Sequence, residues 1–167
     1  MGSDKALVEL HGLPMVLHIA AALRAGGCGR VVAIGGDRAA LEALGVAVVD
    51  DEHPGEGPLG GVITALGAAD PGAAAVMVVA CDLPLLTPHS VGAVAAALGD
   101  AQVSVAVAGR RQPVCAVWRR SALPTLRALF AAGERSLAAA FAVLQFVEVP
   151  VDPQELTNVN TPRDLPQ

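Results

Sequence analysis

Nine apolar residues at 73–81 (AAAVMVVAC) run without a break, stop at an acid, Asp82, and meet a proline at Pro84. No other stretch limits the fold so strongly. A short Val-centred run bounded by Gly72 and Pro84 suits a strand buried on both faces of a parallel sheet, and those turn residues disfavour a helix. Asp82 then ends an interior strand, the place where open α/β sheets hold their ligands.

The flanking patterns alternate around it. The spacing predicts a helix over 13–25, closed by Gly26-Gly27, and a strand over 30–34, ended by Gly35-Gly36. A short helix over 38–44, a strand over 46–49, the loop EHPGEGPLGG and a helix over about 60–69 follow. Thr87-Pro88 reads as a cap and first-turn proline for a helix to Leu98. Two strands at 103–108 and 114–118, parted by GRRQP, make a hairpin-like excursion. Helices over 121–132 and 136–144, a strand over 146–149 and a last helix start at Thr161-Pro162 complete the chain. Strands alternating with helices imply βαβ units, so the expected fold is α/β. We read one doubly wound, mostly parallel sheet with helices on both faces, in a single domain over residues 1–167.

Composition narrows the function. Aromatics are 2% and Tyr is absent, which argues against base-stacking platforms, and the net charge of −5 argues against a phosphate-backbone binder. Three cysteines without ligand spacing read as apolar thiols in a reducing compartment. The histidines (His11, His18, His53, His89) show no ligand spacing either. No stretch approaches the roughly 20 apolar residues of a membrane helix, so the chain reads as soluble and cytoplasmic.

Several residues carry chemistry. Of eleven basic side chains ten are Arg, and Lys5 is the single Lys. Its compact ammonium suits a phosphate, although a lysine near a terminus is by default a solvated one. The GPLGG run at 57–61 straddles a helix start, where backbone amides favour anions, yet a plain turn fits it too. It is neither a Walker loop nor GxGxxG. Asp82 with Asn160 offers hard oxygens for magnesium; turn capping would serve each equally. Asn158 and Asn160 alternate about Val159, so in extended backbone they share one side. Of Asp50 and Asp51, at most one faces a site, because adjacent strand residues point opposite ways.

In order and spacing these pieces resemble the molybdenum cofactor guanylyltransferases, within the nucleotidyltransferases that activate sugars and cofactors. The matching stretches are MGSDKALVELHGLP (1–14), VVDD (48–51), GPLGG (57–61), CDLP (81–84), QPV (112–114), AGERSL (132–137) and NVNTPRDL (158–165). The resemblance implies a Rossmann-like, magnesium-dependent enzyme that transfers GMP from GTP to a molybdopterin-type cofactor and releases pyrophosphate. It implies Lys5 on the triphosphate and Asp82 as the catalytic magnesium ligand, with Asn160 as a second. Gly35, Asp51 and the Gly57, Pro58, Leu59 and Gly60 loop would meet the nucleoside, and Gln112 and Arg135 the pterin side. Gly35 replaces an amide side chain that some relatives carry for the base.

The family opens with a strand and the loop LAGGxSxRMG, of which Met1 and Gly2 match the end. A chain without that first strand is expected to leave unpaired edges on the strands at 30–34 and 74–81. Other readings stay open. They are a cytidylyltransferase or other small-cofactor nucleotidyltransferase, or a non-catalytic remnant that binds a nucleotide or a partner. A phospho-receiver domain would need a lysine after its last strands, where this chain has none. Implied partners are GTP, the pterin and cofactor-delivery proteins, with neither nucleic acid nor membrane.

Overall fold

The computed structural model describes residues 5–159. The chain enters through a 3-10 turn, Lys5–Leu7, and a small hairpin of β1 (Glu9–Leu10) and β2 (Leu13–Pro14). Helix α1 (Met15–Ala25) follows, starting two residues later than its spacing predicts because Leu13 and Pro14 pair with Leu10 and Glu9. Then come β3 (Val32–Ile34), α2 (Arg38–Ala43), β4 (Ala47–Val49), α3 (Pro58–Gly67) and β5 (Ala75–Val79). Helix α4 (Pro88–Ala96) leads to β6 (Val103–Ala108) and β7 (Arg110–Arg119). Helix α5 (Leu123–Ala131), the short α6 (Ala140–Val143) and β8 (Phe146–Pro150) close the described fold.

Local chemistry explains the starts and stops. The Thr87 side chain accepts from the Ser90 amide at 3.2 Å, capping α4 ahead of Pro88, and Asp37 caps α2 by accepting from the Ala40 amide at 3.1 Å. The residues GRRQP do not form a loop. The hairpin turns at Gly109 alone, and Arg110, Arg111 and Gln112 pair with Ala108, Val107 and Ala106.

Strands β5, β7, β6 and β8 form one sheet in that order, while β3 and β4 form a second, parallel pair. The larger sheet is mixed. Strand β7 runs against both β5 and β6, and β8 lies parallel to β6, so antiparallel pairing takes a larger share than the alternating pattern predicts. The reason is the β6–β7 hairpin, which returns the chain beside its own start.

Alternate side chains of the sheet feed two cores. Val76, Val78, Val105 and Trp118 pack with Leu59, Ile63 and Leu66 of α3 and Leu126 of α5. Met77, Val79, Cys115 and Val117 pack with Ile19 and Leu23 of α1 and Val91 and Val94 of α4. Helices therefore cover both faces, as expected, and each fully buried Leu or Val contributes about 1.5–3 kcal/mol. Among the described residues no ladder joins β3 to β5. A cleft of about 950 Å³ lies between them, lined by Val32 and Ile34 on one side and Ala75, Met77 and Val79 on the other. Every residue of β5 is consequently half-buried, although the apolar run predicts complete burial. No helix among the described residues is long and apolar enough to cross a membrane.

Candidate functional site

The carboxyl ends of β3, β4 and β5 bring the predicted residues to one end of the cleft. Ala6, Gly35, Asp51, Pro58, Gly61 and Cys81 all line it. Lys5, exposed, precedes Ala6, and Asp82, half-buried, follows Cys81. Ala6 and Cys81 pack into one apolar cluster with Val16, Leu41 and Val46, which holds the entry turn against the end of the β5 segment.

The acidic pair at the end of β4 divides as strand geometry requires. Asp50 turns outward to Arg38 at 2.6 Å. Asp51 lines the cleft, and its Oδ1 accepts from the His53 amide and the Thr64 hydroxyl, each at 3.0 Å. Gly35 abuts it: a Cβ at Gly35 would lie 3.5 Å from that of Asp51.

The 57–61 loop is built by close approach. Gly57 has φ +85° and ψ 174°, a region that only glycine occupies comfortably, and a Cβ there would come within 2.9 Å of the Arg135 carbonyl oxygen. That carbonyl accepts from the Leu59 amide at 3.2 Å. A Cβ on Gly60 would meet the His53 Cβ at 2.7 Å. Leu59 is fully buried in the core, so its side chain serves packing, while Pro58 and Gly61 face the cleft.

Asp82 is tied to the distant 158–159 segment. Its carbonyl accepts from the Val159 amide at 2.8 Å, and its Oδ2 accepts from the Asn158 side-chain amide at 3.3 Å. Asn158 in turn accepts from the Gln112 side chain at 3.3 Å, so a polar chain runs from β7 to the carboxylate. Sequence reasoning set Asn158 beside Asn160 and gave it no task; their alternation about Val159 was the only signal. Asn160 lies outside the described residues. Asp82 suits magnesium in its donor chemistry, since hard oxygen bound beside substrate phosphates is what that ion takes. Among the described residues no three His, Cys, Asp or Glu side chains gather into a complete metal cage.

Arg135 has other partners than Gln112. It pairs with Glu56 at 2.8 Å, donates to the Phe130 carbonyl at 2.9 Å and stacks over the Phe130 ring at 4.0 Å. No hydrogen bond or ion pair among the described residues joins it to Gln112. Cys115, a buried residue of β7, has its thiol pushed up to about 12, chiefly by burial and further by Glu155. It stays a neutral thiol with no part in nucleophilic chemistry.

Comparison with known proteins gives a consistent result. Residues 1–148 match the family model described as MobA-like NTP transferase domain. A protein of Chloroflexus aggregans named "Probable molybdenum cofactor guanylyltransferase" is 39% identical over 178 residues, covering 98% of this chain and 85% of that protein. The molybdenum cofactor guanylyltransferase of Shewanella baltica is 35% identical over 167 residues, covering 96% and 84% respectively. In fold, the chain is similar to the molybdopterin-guanine dinucleotide biosynthesis protein A of Archaeoglobus fulgidus. There the TM-score is 0.73 at 21% identity, over 98% of this chain and 90% of that one.

Proposed function

The chain belongs to the MobA-like NTP transferase family, a family of nucleotidyltransferases, and from this premise we propose that it transfers GMP from GTP to a molybdopterin-type cofactor. One observation carries the reading. Cys81, the residue before the strand-end carboxylate Asp82, lines the cleft together with Gly35, Asp51, Pro58 and Gly61. In such a transfer the terminal phosphate oxygen of the pterin attacks the α-phosphorus of GTP in line, and pyrophosphate leaves. The protein's task is positioning and charge neutralisation more than covalent help.

Asp51 and the Pro58–Gly61 edge would orient the nucleoside, and the Lys5 ammonium would neutralise the leaving phosphates. Gln112, on β7, would meet the acceptor. Asp82 would hold magnesium, with Asn160 as a second donor; when bound, that ion supplies charge stabilisation on the phosphates. The proposal extends to action in the cytoplasm, with cofactor-delivery proteins as partners.

The test is transfer of labelled GMP from α-labelled GTP to molybdopterin, with CTP and ATP as rivals. Product formed from GTP above the others supports the reading. Preference for CTP would move the protein to cytidylyl transfer, and turnover of none would leave a nucleotide-binding remnant.

A further inference from the structure

Thr64 is one of few buried polar side chains among the described residues, at 1% exposure, and it sits directly behind Asp51. Its Oγ1 lies 3.0 Å from Asp51 Oδ1, 3.1 Å from the Glu52 amide and 3.1 Å from the Gly60 carbonyl oxygen. A hydroxyl has one proton to donate. It accepts from the Glu52 N–H, and its proton goes to Asp51 or to the carbonyl four residues back. The charged acceptor makes the stronger bond. With the His53 amide, Asp51 Oδ1 then holds two donors, while no hydrogen bond among the described residues engages Oδ2.

We propose that Thr64 is a positioning residue that locks one oxygen of Asp51, so that the other faces the cleft and selects a nucleotide by its hydrogen-bond donors. This rests on the reading that the cleft end receives GTP. A carboxylate held in that way accepts from an N–H edge such as that of guanine or from ribose hydroxyls. At adenine it meets the acceptor N1 where guanine presents an N–H. A Thr that merely satisfied a buried site would affect folding and leave nucleotide choice alone.

Thr64→Val keeps the shape and removes the hydroxyl. The expected result is a KM for GTP raised on the order of tenfold, with kcat within about twofold of the parent and Thr64→Ser close to the parent. If the base supplies the donors, the preference for GTP over ITP, which lacks the 2-amino group, shrinks in step. If the ribose does, the preference over 2′-deoxyGTP shrinks instead. Should the valine variant not fold, Thr64→Ala beside Thr64→Ser carries the same contrast in calorimetric GTP binding. An unchanged KM and unchanged preferences in a hydroxyl-free variant, or a serine variant as weak as the valine one, overturn the inference alone. A parent chain that neither binds nor turns over GTP overturns the proposed function, and this inference with it.

Discussion

Asn158 donates its side-chain amide to Oδ2 of Asp82 across 3.3 Å, joining two residues 76 positions apart in the chain. The contact orients a carboxylate that would otherwise rotate freely at a strand end. The Val159 amide on the Asp82 carbonyl fixes the backbone beneath it.

Replacing Asp82 by Ala is expected to cut guanylyl transfer on the order of 100-fold or more while leaving the melting temperature nearly unchanged. The side chain is only half-buried and its loss leaves no core cavity. Turnover and a thermal melt check the two halves; activity that persists in the variant would refute the ligand role.

The two ends of the glycine loop should respond oppositely to alanine. Gly57→Ala places a Cβ against the Arg135 carbonyl at a backbone conformation costing about 1–3 kcal/mol, and is expected to lower stability by at least that much. At Gly61 a Cβ meets nothing within 4 Å, and alanine favours the helix by up to about 1 kcal/mol. Gly61→Ala should therefore keep or raise stability while weakening GTP binding, because Gly61 lines the cleft. Urea melts and calorimetric GTP titration separate the effects.

Arg135 should behave as a brace of the nucleotide loop. Its ion pair with Glu56 is about half exposed and contributes little by itself, about 0–1 kcal/mol. The planar stack on Phe130 and the bond to its carbonyl require a guanidinium. Arg135→Lys is thus expected to weaken GTP binding nearly as much as Arg135→Ala. A rise confined to the KM of the pterin would instead mark direct acceptor contact.

Alkaline pH should destabilise the fold through Cys115. Its thiol ionises near 9.0 when unfolded and near 12 when folded, so the folded state retains the proton longer. The contribution is complete below pH 9 and is lost as pH rises from 9 to 12, amounting to a few kcal/mol at about 1.4 kcal/mol per unit. Unfolding free energies at pH 8, 9.5 and 11 should decline, and Cys115→Ala should flatten that decline.

Much of this was legible in the residues themselves. The uninterrupted 73–81 run announced β5, Thr87-Pro88 announced the start of α4, and Asp50-Asp51 announced that only one acid could face inward. Each rests on interactions within a few positions: side-chain alternation, a cap three residues away, a proline that cannot continue a ladder. The GRRQP segment misled for the same reason, since turn-forming residues were overridden by pairing with Val107 and Ala106.

The sequence by itself determined the layered α/β pattern and the residue types that gather at strand ends, because periodicity and capping are short-range. Only the tertiary structure decided which of them meet. Asn158 on Asp82, Arg135 beneath Gly57 and Thr64 behind Asp51 depend on strand order and register. Those are set by the packing of two cores across the whole sheet, and no local pattern encodes them.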